Sequence, residues 1–573
     1  MKLSAQDVAR VQAPLVIGVT GHRDLRPEDL EHLEREVEKI FRRLREQYPF
    51  TPFLVVSPLA EGADRLVARV GLSPGIGARL VAPLPMPAAM YEEDFQEPGS
   101  LEEFRHLLAR ADDWFVLDSI RAPGTARDYC YQAVGLYVAR NCQILIALWD
   151  GVDTGKRGGT WEVIKFQTEG PAQTDCNLQP PELFPVYHIV TPRRSNPSPS
   201  GQPFQLREIH PPVFHRNQRA DAYYAKLFRN LNQFNRLIAE GGEELRAEAD
   251  RGKRHLLGGF DAIALSDGER LALDRYAVAN ALAMRFRRDT VRAHLALHAW
   301  VLASFFCFVL FAHLGKFHPR WLVLSLLLLA IAYIQHRRAR GIALDDQSQD
   351  YRAVAEGARV RFFWKMAGIE EPVQDNYLNT QRTELDWIRN GLRGWGITTG
   401  GAPSLSRVRE QLEFALKHWV ENQNRYFQEA SQKNLERSER AEGLTRTCVY
   451  LTLAVASAVG ILAAVNGWFG LGWWNSETRE WLAWPVTAIE LLLALGALVH
   501  HFSERMAYAE HAKQYKRMDG VFRNALRIVR EKLATDDCEG ARACLLTLGK
   551  EALAENGEWV LLHRERPLEL PHP

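Results

Sequence analysis

Eleven residues in three short segments carry the most concentrated chemistry of this chain: Gly21, His22 and Arg23; Glu61, Gly62, Asp64 and Arg65; Gly158, Gly159, Thr160 and Glu162. Glycines let a ligand approach the backbone, and helices starting near Ala63 and Thr160 would offer free N–H groups to an anion. With Arg23, Arg65, Lys156 and Arg157 adding positive charge, the combination suits a phosphorylated ligand. Glu61, Asp64 and Glu162 are the acids that a hydrolytic reaction would draw on. Taken singly, each segment reads as a tight turn with solvated arginines; Asp64 could cap its helix or pair with Arg65, and His22 could satisfy its own turn. Together they point to ligand binding. None is a Walker loop or a GxGxxG fingerprint.

The elements that must position these residues are legible from periodicity. Short apolar runs at Leu15–Thr20, Phe53–Ser57, Ala78–Ala82, Trp114–Leu117, Gln143–Trp149 and Val186–Val190 alternate with helical patterns. That alternation predicts an α/β Rossmann-like domain with a parallel sheet over residues 1–192. In such sheets ligands lie beyond the carboxyl ends of the strands, where all three segments fall.

The stretches GVTGHRDL (Gly18–Leu25), SPLAEGADRLVA (Ser57–Ala68) and LWDG followed by GGTWE (Leu148–Glu162) resemble the SLOG superfamily. Those are Rossmannoid nucleotide-processing and nucleotide-sensing domains related to cytokinin-activating enzymes and to the head of melastatin-type TRP channels. The resemblance covers roughly the first third of the chain. Enzymatic members carry a catalytic glutamate three residues after the loop threonine; here that position is Val163, and Glu162 comes one residue early. The resemblance therefore implies binding of a nucleotide-derived ligand, ADP-ribose-like or a cyclic nucleotide, without turnover and without a cofactor or metal.

Two apolar hairpins follow. Leu295–Leu314 and Thr447–Trp474 contain no Asp, Glu, Lys or Arg, and each is followed by a second apolar run, Trp321–Gln335 and Trp481–Phe502. About 20 apolar residues cross a bilayer core, so four transmembrane helices are expected, at about 294–314, 320–336, 447–469 and 481–501. Trp300, Trp321, Trp468, Trp473, Trp474, Trp481 and Trp484 cluster at their ends as an interfacial belt. Arginines flank the outer ends (Arg285, Arg287, Arg288, Arg292, Arg337, Arg338, Arg340, Arg440, Arg446, Arg505), whereas the tips hold Lys316, Arg320 and Arg479. This bias predicts an inner-membrane, multi-pass protein with both termini cytoplasmic. Glu490 falls within the fourth span as a candidate pore-lining or gating carboxylate, or a hydrogen-bonded packing residue, with His298 and Ser457 as candidate partners. Ala454, Ala456, Ser457, Ala458 and Gly460 would permit close helix packing.

The balance of 71 basic and 70 acidic residues argues against a charge-driven nucleic-acid binder. Seven scattered cysteines form no CxxC pair, which supports neither a disulfide framework nor a zinc site. The polar N-terminus has no apolar signal region, so the first span is expected to direct insertion. Residues 193–218, rich in Pro, Ser and Gly, read as a linker; 219–342 as a helical stalk and first hairpin; 343–446 as cytoplasmic helices; 447–502 as the second hairpin; 503–573 as C-terminal helices. Asp350–Gly357 and Gln514–Gly520 place a tyrosine at nearly equal distance after each hairpin, suggesting a duplicated unit. Hairpins of this kind behind a SLOG-like head resemble SLATT proteins, bacterial membrane effectors predicted to act in antiviral conflict. The resemblance implies an oligomer that senses a nucleotide ligand in its head and permeabilises the lipid bilayer; the alternative is a membrane-anchored nucleotide hydrolase.

Overall fold

The computed structural model describes residues 5–564 apart from 96–98, 118–125, 172–180, 214–216, 259–264, 314–317, 380–384, 398–407 and 471–475. Lys316, Trp473, Trp474 and the chain beyond Arg564 therefore lie outside the described residues. The described chain divides into two compact units, residues 1–250, 261–278 and 372–403 in one, and 251–260, 279–371 and 404–573 in the other.

The first unit holds a seven-stranded sheet: β1 (Leu15–Gly21), β2 (Phe53–Val56), β3 (Arg79–Leu84), β4 (Asp113–Val116), β5 (Ile144–Trp149), β6 (Val186–Val190) and β7 (Leu206–Ile209). The order is β4-β3-β2-β1-β5-β6-β7, parallel throughout except that β7 runs antiparallel to β6. Parallel strands covered on both faces read as unbroken apolar runs, which is why the first six were visible in the sequence. The helix Leu30–Gln47 shows the complementary pattern, burying Leu33, Val37, Ile40, Phe41 and Leu44 along one stripe. β7 arises within the segment expected to be a linker. Its four residues pair with β6 in register (Val186 with Ile209), a contact that local composition could not reveal.

Residues 372–403, expected among the cytoplasmic helices, belong to this first unit. In its helix Asp386–Ile397, the rings of Trp387 and Trp395 pack 5.8 and 6.0 Å from Phe234 on the helix Asn217–Glu240. Trp395 also donates from Nε1 to the Gln12 carbonyl at 3.1 Å. Arg389 and Arg393 both pair with Glu182, at 2.6 and 2.5 Å. An amphipathic helix announces that it has a buried face, but not against which core.

The second unit is helical. Among the described residues, four helices are long and apolar enough to cross a membrane, and only 11–28 % of each apolar window is buried within the chain. A 47-residue helix, Asp267–His313, leads into the first hairpin and a 48-residue helix, Asn422–Phe469, into the second. The return helices are Pro319–Gly341 and Ser476–Arg505. Each return helix is followed, after a left-handed alanine, by a polar helix: Ala343 then Leu344–Met366, Ala507 then Tyr508–Ala534. Within the first hairpin Ser304 donates to the Ser325 carbonyl at 2.9 Å, and within the second Thr445 donates to the Gly496 carbonyl at 3.4 Å.

Glu490 meets neither of its expected partners. Its carboxylate lies 3.0 Å from Nε2 of His313, while His298 packs instead on His501 and Phe502, and Ser457 is exposed. Sequence distance from the start of a span does not give its vertical register against a neighbour. Ala454, Ala456, Ser457, Ala458 and Gly460 also stay largely uncovered, and a Cβ added at Gly460 would meet nothing within 4 Å.

Candidate functional site

Strands run outward on both sides of the β1–β5 pair, which makes it the switch point of the sheet, where open α/β sheets form their crevice. Gly21 lies opposite Leu148 there, and the chain continues as His22 on one side and Asp150 on the other. His22 Nε2 is 3.0 Å from the Asp150 carboxylate, and Nδ1 is 3.1 Å from the Arg193 guanidinium. Burial, then Arg193, holds His22 below its ordinary range, so the ring is neutral near pH 7. Arg193 can only donate, so Nδ1 accepts from it, while Nε2 lies 3.0 Å from both the Asp150 carboxylate and the Asp150 backbone N–H, which donates to it.

The network extends through the segment after β6. Arg193 pairs with Asp24 at 3.0 Å, Ser195 donates from its hydroxyl to Asp24 at 2.7 Å, and Asn196 donates to Asp150 at 2.9 Å. Burial opposes the charge of Asp150, but the hydrogen bonds from Asn196 and the Val152 N–H, with His22, still hold its carboxyl below the usual range. Asp24, Asp150, Arg193, Ser195 and Asn196 were not among the expected site residues. The rule of inspecting the residues after each strand would have found the last three, had the Pro- and Ser-rich stretch not read as a linker.

The second segment is built for close packing. Gly62 has φ +76°, and a Cβ on it would fall 2.4 Å from the His22 carbonyl oxygen; one on Gly21 would fall 2.4 Å from the Ala63 Cβ. Both glycines bring the first two segments together, and Ala63 N–H donates to His22 O at 3.1 Å. Arg65 is 2 % exposed and points inward. It donates to the carbonyls of Leu59 (3.0 Å) and Ser100 (2.8 Å), and its guanidinium lies over the Phe95 ring. Glu61 accepts from the Ser100 hydroxyl. Asp64 is buried and accepts from the Ala60 N–H at 3.3 Å; burial pushes its carboxyl up to about 7 against the pull of Ala60, Arg23 and Arg65.

In the third segment Glu162 folds back, accepting from the Gly158 N–H at 2.7 Å and from Gln132 at 2.6 Å. Gly159 is the residue before the helix Thr160–Thr168, so Thr160 opens it. Val163, three residues after Thr160, is buried in the core cluster with Val138 and Leu145, where a carboxylate would lack water. Three cations line the rim. Arg23 is exposed with its guanidinium 4.8 Å from the Tyr131 ring centroid, and Lys156 and Arg157 are exposed; none has a carboxylate at ion-pair distance among the described residues.

The structure thus brings Gly21, His22, Arg23, Gly62 and Asp64 to one edge at the switch point. It turns Arg65 and Glu61 toward Ser100 and ties Glu162 to its own loop. The arrangement can hold an anion at the exposed cations, but each candidate acid is already hydrogen-bonded within the protein. No family model matches the chain, and no curated protein does.

Proposed function

We propose that the chain is a membrane effector whose Rossmann-like head binds a phosphorylated, nucleotide-derived ligand and whose paired hairpins respond by permeabilising the membrane. The observation that carries the ligand reading is the asymmetry of the switch-point rim: Arg23, Lys156 and Arg157 are open to an anion, while Glu61, Asp64 and Glu162 are held by internal hydrogen bonds. Phosphate recognition needs the first; hydrolysis needs a free acid or base, which favours binding over turnover. The resemblance to SLOG and SLATT proteins supports a sensor–effector pairing in bacterial antiviral defence, at the inner membrane with both termini in the cytoplasm. Four helices enclose little space, so an oligomer is part of the proposal, and the exposed small-residue face of Asn422–Phe469 suits contact with a second copy. The ligand can act only through unequal affinity for the closed and open arrangements.

The test is a liposome flux assay with purified protein and a nucleotide panel that includes ADP-ribose and cyclic dinucleotides. One ligand should trigger dye release without being consumed. Arg23→Ala should weaken that response about tenfold, the usual loss for one charge-assisted phosphate contact, while leaving the melting temperature unchanged. Release of base or phosphate at steady rates would instead establish the membrane-anchored hydrolase.

A further inference from the structure

The second unit contains a cavity of about 650 Å³, within the usual range for small-molecule sites. It is enclosed by both copies of the hairpin unit and by the C-terminal helix Cys538–Arg564. Leu295 and Phe502, the ends of the first and fourth apolar stretches, form one side. Six basic side chains line it, Arg287, Arg352, Arg359, Lys433, Arg437 and Arg505, against three acidic ones, Asp345, Glu356 and Glu555.

The acids do not cancel this charge. Glu356 is taken up by Arg352 and Arg359 together. Burial, reinforced by the nearby Glu356, pushes the Glu555 carboxyl up to about 8, so it is largely uncharged at neutral pH. Arg287 and Arg437 have no carboxylate at ion-pair distance among the described residues; Arg437 lies 5.7 Å from the Tyr508 ring centroid, and burial raises the pKa of that tyrosine against the opposing pull of both arginines. Gln349 is 5 % exposed and its Oε1 has no hydrogen-bond partner among the described residues. An aromatic wall completes the cavity: Tyr515 stacks on His511, His511 stacks on His563, and His563 packs tilted against Trp559, with centroids 5.3, 4.9 and 3.9 Å apart.

We infer that this cavity is a binding site for a phosphate-bearing ligand, held by Arg287 and Arg437 and packed against the wall formed by Tyr515 and Trp559. Unpaired guanidinium groups recognise phosphate oxygens in bidentate fashion, and flat rings suit a headgroup or base laid beside them. The site is separate from the switch-point crevice and stands whether or not that crevice binds a nucleotide. Because both hairpin copies and the C-terminal helix contribute walls, an occupant would brace all three. The phosphate could belong to an anionic phospholipid or to a soluble molecule, and the two are separable by experiment.

Full-length protein in nanodiscs of phosphatidylcholine alone, or with phosphatidylglycerol added, gives the lipid arm; inorganic pyrophosphate titrated into the phosphatidylcholine nanodiscs gives the soluble arm. At least one addition should raise the melting temperature of the wild type. Arg287→Ala with Arg437→Ala should reduce that affinity by roughly tenfold or more. Both residues are exposed at the cavity mouth, so the variant should fold, and an unchanged melting temperature without ligand verifies it. Arg440→Ala, exposed on the helix that carries Arg437 but outside the cavity, should bind as the wild type does. Binding in neither arm, or binding equally reduced by Arg440→Ala, overturns the assignment.

Discussion

Ala343 and Ala507 occupy equivalent places: each is a left-handed alanine (φ +47° and +52°) between a return helix and a polar helix, and each precedes a tyrosine, Tyr351 or Tyr515, by eight residues. The tyrosines pack alike, Tyr351 on Phe286 (5.0 Å) and Tyr515 on Phe427 (5.6 Å), each an aromatic of the preceding long helix. The duplication suggested by two short tyrosine motifs is therefore one of backbone geometry. Alanine in this conformation is strained by about 1 kcal/mol, which glycine relieves in the folded state while gaining freedom in the unfolded one. Ala343→Gly and Ala507→Gly should each stabilise the protein by about 0.5–1 kcal/mol, and valine at either position should destabilise it. Melting temperatures in detergent check this; opposite responses at the two sites would mean that the bends are not equivalent.

Arg65, an expected ligand-binding residue, is buried and hydrogen-bonded within the head. Its guanidinium holds Leu59, itself at φ +59°, and the start of the helix Ser100–Ala109. Removing it leaves the Leu59 and Ser100 carbonyls without their donor inside the head. Arg65→Ala should destabilise the protein by about 3–5 kcal/mol, the range for breaking a buried charged network. Circular dichroism melts would show it without any ligand. A melt identical to wild type would return Arg65 to the ligand site.

The Asp64 carboxyl gives the head a pH dependence with a definite sign. Its folded-state value, pushed up to about 7 by burial, lies above the unfolded value, so the native state holds the extra proton in between. Stability should fall as pH rises from about 4 to 7, by roughly 2–4 kcal/mol from this group. Asp64→Asn cannot ionise and should lose that slope, becoming the more stable form at pH 8. Denaturant unfolding at several pH values measures the difference between the two proteins, and parallel curves would exclude a buried, proton-holding Asp64.

The sheet was legible because buried parallel strands are continuous apolar runs, and the four long apolar helices because a soluble helix rarely sustains such length without a polar face. What the sequence concealed were contacts between distant segments. His22 could be recognised as a residue at a strand end, but its partners Asp150 and Arg193 are 128 and 171 positions away. Helix Asp386–Ile397 joined the head through Trp395 and Gln12, separated by 383 positions. Arg65 shows the converse: a loop arginine beside glycines looks available for a ligand, and nothing local states that its side chain points inward.

Glu490 and His313 form the remaining long-range pair that spacing missed, and its energetic coupling can be measured. A carboxylate in an apolar span needs a partner, and His313 lies within hydrogen-bond distance of both of its oxygens, at 3.0 and 3.1 Å. Polar contacts between membrane helices contribute on average about 0.6 kcal/mol, so the effect should be modest. In a double-mutant cycle, Glu490→Gln and His313→Ala should each destabilise the protein in mixed micelles, and the double variant should lose less than their sum by about 0.5–1.5 kcal/mol. Strict additivity would mean that the two side chains do not interact. The same variants separate packing from transport: if Glu490 lines the permeation path, Glu490→Gln changes ligand-triggered liposome flux by more than its stability loss accounts for. A flux that follows stability alone would leave the pair with a purely structural role.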